Sequence, residues 1–183
     1  MGRQVRKIKG LTPPILHTQH TNKKGAPLRA NLTIFSSFLI IAALYFYPAI
    51  DGTNLLTERD LSVFFIPPRM LWTQALKHGE FPLWNPYFYS GHPLLATLQP
   101  GIFYPFNLLL LILPFDLAFN WVIIVHFALA GTFTYILLRD LDASKTGAIF
   151  GALTFMLSGY LFSAHNVLNT LLSVTWSPLT VYL

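Results

Sequence analysis

The sequence predicts an all-α polytopic integral membrane protein, a helical bundle whose large first loop lies outside the cytoplasm. Three observations predict it. Of the 183 residues, 54% are hydrophobic and only 10% charged, against roughly one quarter charged in soluble domains. The apolar residues fall in long unbroken blocks rather than in amphipathic periods, which favours lipid over water. The positive charge is gathered at one end: the basic residues from Arg3 to Arg29 all precede the first apolar block, and no acid appears before Asp51. A basic segment directly ahead of a hydrophobic span places the N-terminus in the cytoplasm. Residues 1–30 therefore read as a cytoplasmic tail that touches anionic lipid headgroups, with no nucleic-acid partner.

Residues 31–50, "NLTIFSSFLIIAALYFYPAI", carry no charge and are long enough to cross a hydrocarbon core of about 30 Å. Tyr45, Phe46 and Tyr47 fit an interfacial aromatic belt. The run is longer than a signal-peptide core, and "YFYPAIDG" has no small-x-small cleavage site, so it reads as an uncleaved anchor. Residues 117–138 form the next span and return the chain to the cytoplasm. Residues 139–146, holding Arg139 and Lys145, make a short cytoplasmic loop. Residues 147–164 cross outward, with Gly147 and Gly151 set for close helix packing. A further apolar segment begins at 168 and runs to Leu183 without a charged flank, which points to a truncated chain.

Between the first two spans, residues 51–116 lie outside the cytoplasm. "PPRMLWTQALKHG", residues 67–79, has Pro in its first turn and Gly as its stop, and predicts a short helix. Arg69, Thr73 and Lys77 fall four apart on one face, so that helix is expected to lie along the membrane surface. "NLLLLILP", residues 107–114, is too short to cross and reads as an interfacial or re-entrant helix. The stretch between them, residues 78–107, has Glu80 as its only acid, no Lys or Arg, and repeated prolines, glycines and aromatics. It has too many breakers for a span and too little charge for a solvated loop. Irregular backbone at that depth is tolerated only where protein covers it or it lines a cavity. A rigid lid beside a lipid-facing cleft is the expected role.

The acids Asp51, Glu58 and Asp60 gather at the start of the first loop. Carboxylates there suit a general base or a divalent cation, while Thr57–Asp60 also matches the capping-box pattern. Spacing alone leaves both readings open. His78, His92, His126 and His165 show no metal-ligand spacing; His126, inside a span, reads as packed and hydrogen-bonded. His165 and Asn166 end an outward span on the same side as the acids and become candidate walls of the same cleft. Arg59, Arg69 and Lys77 are candidates for holding phosphate at the membrane surface. Trp72, Trp84, Tyr87 and Tyr89 suit either stacking on sugar faces or interfacial anchoring. There is no cysteine, so disulfides and thiolate metal sites are excluded, and no nucleophile elbow, P-loop or zincin pattern occurs.

Asp60, a hydrophobic-Pro segment, "GEFPLWNP", "SGHPLLA", "QPGIFYPFN" and, after the next span, "RDLDASKTGAIFGALTFMLSGY" follow in an order that resembles the bacterial YfhO family of polytopic membrane proteins. More broadly, the series is similar to the N-terminal part of the GT-C glycosyltransferases. The likeness covers residues from about 45 to 183. It implies a GT-C-like bundle in the bacterial inner (cytoplasmic) membrane, and transfer of a sugar from a polyprenyl-phosphate donor to an acceptor on the extracytoplasmic face. Asp60 stands where the family's loop Asp falls and is the implied general base, with inversion at the anomeric carbon; Glu58 makes an acid-x-acid pair with it. Arg59, Arg69 and Lys77 would meet the donor phosphate, and Trp84, His165 and Asn166 would face the substrate. A divalent cation, Mg or Mn, at Asp60 and Glu58 is one way to stabilise the leaving phosphate; the sequence leaves the metal and the acceptor open. The partners implied are the lipid-linked sugar donor and membrane lipids. A lipid-carrier flippase or transporter, or an assembly subunit, is the alternative. Transporters concentrate charge at mid-membrane, whereas here the polar groups cluster outside the spans.

Overall fold

In a computed structural model that describes residues 28–88 and 90–183, the chain is mostly helical. The basic tail up to residue 27, and Tyr89, lie outside the described residues. The helices are α1 (Leu28–Tyr45), α2 (Ile66–Lys77), α3 (Leu109–Ile112), α4 (Phe115–Asp140), α5 (Lys145–Met156), α6 (Gly159–Ala164) and α7 (Leu168–Tyr182). Two short strands, β1 (Trp84–Asn85) and β2 (His92–Pro93), pair antiparallel, with Trp84 opposite Pro93 and Asn85 opposite His92.

α4 is the central helix, and α1, α5 and α7 pack around it. Its buried residues Phe119, Ile123 and Phe127 meet Phe38 of α1, Met156 of α5 and Leu171 of α7 in one apolar core. Gly131 sits where three helices converge: a Cβ there would lie 3.2 Å from Met156 Sδ and 3.3 Å from Phe38 Cδ2. Gly151 does the same for the α4–α5 contact, since its Cβ would meet Leu138 Cδ1 at 2.5 Å. At Gly131 the absent side chain leaves room for the helices to approach closely.

Among the described residues, two helical segments are long and apolar enough to cross a membrane: α4, Phe115–Asp140, mean hydropathy 2.0, and the α5–α6 segment Lys145–Ala164, mean hydropathy 1.5. Asn31–Tyr45 is apolar but shorter. Large apolar side chains such as Ile40, Leu44 and Phe150 stand exposed on the outside of the bundle, which is compatible with lipid surroundings.

Several elements depart from expectation. The first helix ends at Tyr45, before residue 50, because Pro48 starts a tight 3-10 turn over Tyr47–Ala49. The third expected span falls within the apolar segment Lys145–Ala164 but is not one continuous helix: α5 stops at Met156, and Ser158 caps α6 by accepting the Leu161 N–H at 3.2 Å. A Ser-Gly pair is a common cause of such breaks, and Ser158–Gly159 is one. The expected re-entrant helix over 107–114 shrinks to the single turn of α3, preceded by a 3-10 turn at Pro105–Leu108. The all-α expectation also fails locally at β1–β2, inside the prolyl stretch.

The start of the first loop is tied to the bundle through a buried amide. Asn120 of α4 donates through Nδ2 to the carbonyls of Ala49 (2.9 Å) and Asn54 (2.8 Å), and its Oδ1 accepts the Leu56 N–H at 3.1 Å. Trp121 Nε1 adds a bond to the Ile50 carbonyl at 3.1 Å. The start of the loop is thus held by the most buried helix of the fold.

Candidate active site

The acids of the first loop differ in what they do. Asp51 Oδ1 accepts from Thr53 N at 3.0 Å and Thr53 Oγ1 at 2.8 Å, and the bond from the Thr53 backbone holds its carboxyl below the usual range. It is an Asx-type turn. Glu58 and Asp60 are exposed, and among the described residues neither carboxylate makes a side-chain hydrogen bond or ion pair. The capping box open to Thr57–Asp60 is therefore not formed. Arg59 between the acids has φ 47°, a left-handed conformation that costs a non-glycine residue about 1–2 kcal/mol. The helical turn that follows has Asp60, not Thr57, at its N-cap, with no side-chain cap bond. The backbone closes the turn instead, through Leu61 N to Glu58 O (3.1 Å) and Ser62 N to Arg59 O (3.3 Å).

The strained turn leads directly into a π-helical turn, Leu61–Phe65, which runs on into α2. Such turns are rare and recur at functional sites. Its wide winding lets Pro67 and Pro68 enter at the start of α2, where their missing N–H groups leave no bond unmade.

Two hollows flank this turn. One, of about 500 Å³, runs from Ser62 and Phe64 past Pro67 and Leu71 to Tyr87 and Phe88. Its far wall is the prolyl, aromatic stretch expected to be a lid. The other, of about 510 Å³, is walled by Tyr45, Phe46 and Phe162 and carries Glu58, His165 and Asn166. Glu58 thus belongs to one hollow and Ser62 to the other, with Asp60 in the turn between them. His165 Nδ1 donates to the Phe162 carbonyl, which in the neutral ring leaves Nε2 as an acceptor. Asn166 Oδ1 is buried and has no partner among the described residues.

The phosphate-holding expectation needs correction at Arg69. The stripe Arg69–Thr73–Lys77 does not lie open on one face: Arg69 is 0% exposed and Thr73 2%, while Lys77 is exposed. The helix turns that stripe inward and leaves Met70 outside. Arg69 Nη1 donates to the Phe65 carbonyl at 3.1 Å and Nη2 reaches Asn169 Oδ1 at 3.4 Å, while Nε has no partner. Burial pushes the guanidinium down to about 10. Of the three candidate cations, Arg59 and Lys77 face solvent and Arg69 does not.

Trp84 is 54% exposed on β1 and covers Gly91, whose Cβ would lie 2.7 Å from the indole nitrogen. Gly91 also has φ +90°, so both space and conformation require glycine. Trp84 lines neither hollow.

A polar chain runs through the bundle interior. Trp176 Nε1 donates to Tyr104 Oη at 2.9 Å, Tyr104 Oη lies 2.5 Å from His126 Nε2, and His126 Nδ1 lies 2.5 Å from the Val122 carbonyl. With Nδ1 donating to a carbonyl, a neutral His126 accepts the Tyr104 proton at Nε2. The packed, hydrogen-bonded reading of His126 matches this arrangement. Tyr104, Trp176 and Asn120 were not singled out from sequence. Asn120 had a legible signal, an amide inside an apolar helix; Tyr104 and Trp176 had none.

Among the described residues no group of three or more His, Asp or Glu side chains gathers into a metal cage. No family model, no curated protein and no solved structure matches the chain.

Proposed function

We propose that the protein is a polytopic glycosyltransferase of GT-C type in the bacterial inner membrane, N-terminus cytoplasmic, acting on a polyprenyl-phosphate-linked sugar at the extracytoplasmic face. The observation that supports it is the placing of the uncapped, strained Glu58–Asp60 turn between an apolar groove and a polar, aromatic-walled hollow. The groove suits the first units of a lipid tail, and the hollow suits the group that the lipid carries. Glu58 lines the hollow and Ser62 the groove, and Asp60 lies between them in the chain.

In this reading the Asp60 carboxylate takes the proton of an acceptor hydroxyl as that oxygen attacks the anomeric carbon. The bond from that carbon to the phosphate oxygen breaks, and its electron pair leaves with the phosphate, so configuration inverts. Arg59 and Lys77, the exposed cations, offset charge on the departing phosphate. A divalent ion held by Glu58 and Asp60 would supply further charge stabilisation there.

The experiment is transfer from a radiolabelled polyprenyl-phosphate sugar by the protein in membranes, with Asp60→Asn and Glu58→Gln beside it. Asp60→Asn is expected to lower transfer by about 10²–10⁴-fold at equal protein level. Equal transfer by native and Asp60→Asn protein removes Asp60 from the chemistry. Absence of transfer by native protein, with lipid-carrier movement across vesicles instead, makes it a flippase.

A further inference from the structure

We infer that residues 100–113 form a re-entrant segment seated among the acyl chains in the outer half of the bilayer. The inference goes beyond the proposed reaction: it rests on α4 as a span entered from the extracytoplasmic side, and not on what the protein transfers.

Two helices serve as rulers. α4 starts at Phe115, and His126 lies about 16 Å further along it at 1.5 Å per residue. Thr175 of α7 donates through Oγ1 to the His126 carbonyl at 3.3 Å, so Trp176 and His126 stand at one level. Tyr104 reaches that level: its Oη lies 2.5 Å from His126 Nε2 and accepts from Trp176 Nε1 at 2.9 Å. Phe106 follows it, with its ring centroid 4.9 Å from that of His126 and 6.4 Å from that of Trp176. Gln99 is met much higher. Its Oε1 accepts from Asn169 Nδ2 at 3.0 Å, at the start of α7, about 10 Å from Trp176 along the helix. The chain therefore descends beside α7 from Gln99 to Tyr104. It climbs back through the 3-10 turn Pro105–Leu108 and α3 to reach α4 at Phe115. A hydrocarbon core is about 30 Å thick, so side chains that reach His126 stand well inside its outer half.

Irregular backbone in lipid must find its partners within the protein. Asn107, 1% exposed, closes the neck of the segment: its Nδ2 donates to the carbonyls of Pro100 (3.3 Å) and Gly101 (2.8 Å). The Gly101 N–H donates to the Leu98 carbonyl (3.2 Å), the Tyr104 N–H to that of Gly101 (2.9 Å) and the Asn107 N–H to that of Tyr104 (2.9 Å). Pro100 and Pro105 bring no N–H at all.

The surface fits the same place. No Asp, Glu, Lys or Arg occurs between Glu80 and Asp116. From Pro100 to Leu113 the exposed residues are Phe103, Pro105, Leu108 and Ile112, all apolar, with Phe103 at the tip 75% exposed. A face for another protein would carry a polar rim; acyl chains ask for none. Thr97 and Gln99, at the head of the descent, line the groove with Pro67 and Leu71. One piece of chain thus borders the groove and enters the bilayer.

The test reads depth. The chain has no cysteine, so Phe103→Cys and Ile112→Cys each give a single labelling position on an exposed side chain. Each variant, carrying an environment-sensitive fluorophore, is reconstituted as the full chain in phosphatidylethanolamine–phosphatidylglycerol vesicles. The quenchers are nitroxide lipids labelled near the headgroup or deep in the acyl chain, and aqueous iodide. The label at 103 is expected to lose more emission to the deep nitroxide and none to iodide, and the label at 112 to lose more to the shallow one. Leu108→Cys, between them in the climb, takes the place of either variant that fails to fold. The shallow order at both positions means a segment lying flat on the surface and overturns the inference. Iodide quenching at 103 overturns it too, as does quenching there by neither reagent, which puts a second copy or another protein over the tip. Sugar transfer read on native protein in the same vesicles separates the two proposals. The expected depth order without transfer keeps the seat and sinks the glycosyltransferase reading; transfer with an iodide-quenched tip does the reverse.

Discussion

Asn120 on α4 accepts the Leu56 N–H through Oδ1 at 3.1 Å, and the same amide serves the carbonyls of Ala49 and Asn54. One fully buried side chain thereby uses three of its hydrogen-bonding positions to fix a loop that has no regular structure of its own. Replacing it by Ala or Leu orphans an N–H and two carbonyls, each worth about 1–3 kcal/mol where water cannot reach. Asn120→Leu is expected to lower the unfolding temperature in detergent and to speed hydrogen exchange at the Leu56 amide. Unchanged exchange there would mean that the loop is held by other contacts.

The α4–α5 seam makes a second prediction. A Cβ at Gly151 would meet the tip of Leu138 at 2.5 Å, and a leucine tip can rotate away. Gly151→Ala should therefore be mild. Gly151→Ile adds atoms that cannot be absorbed this way and is expected to destabilise by about 1–3 kcal/mol. Leu138→Ala in the same protein should recover part of that loss, because the two sites share one space. Thermal unfolding of the single and double variants gives the coupling; additive losses would place the strain elsewhere.

Much of the bundle was legible because long apolar runs admit few alternatives. The helix expected over 117–138 appears as Phe115–Asp140, and the one expected over 67–79 as Ile66–Lys77. Punctuation inside a run was harder to read. Ser158–Gly159 breaks the segment expected over 147–164, although its composition alone reads as continuous. The direction of α2's stripe was also illegible. Arg69, Thr73 and Lys77 share a face by spacing, but the fold buries the first two, Arg69 reaching Asn169 of α7, and no local pattern announces which way a short helix turns. At the candidate site, Glu58, His165 and Asn166 were readable as residues on one side, and the structure brings them to one hollow. The aromatic wall from Tyr45, Phe46 and Phe162 joins residues more than a hundred positions apart, which spacing cannot reveal.

Tyr104 lies between two partners, Trp176 Nε1 and His126 Nε2. Tyr104→Phe keeps the ring and removes the hydroxyl, leaving a donor and an acceptor unmet at once. A loss of about 1–3 kcal/mol per orphaned group is expected. Trp176 fluorescence should shift with it, since the indole N–H loses its acceptor. Stability and emission like those of native protein would show that water replaces the hydroxyl without cost.

Arg69 poses the sharpest energetic question in the fold. A guanidinium with 0% exposure has, among the described residues, two hydrogen bonds, one of them long at 3.4 Å, an empty Nε, and no carboxylate partner. Burying an unpaired charge is costly, and apolar replacement of buried ions is often neutral or stabilising by about 1–4 kcal/mol. Arg69→Met, similar in length, is therefore expected to unfold at or above the native temperature. The linkage has a definite sign. The folded value, pushed down to about 10, lies below that of the free side chain. The charged form therefore lowers stability at neutral pH, and that loss is relieved only as pH rises above about 10. Lys77→Met, at an exposed position on the same helix, should leave stability unchanged. If Arg69→Met instead unfolds well below the native protein, the guanidinium is satisfied by an anion in the folded protein. Repeating the melt of native protein across phosphate concentrations would then find that anion, as a midpoint that rises with phosphate only while Arg69 is present.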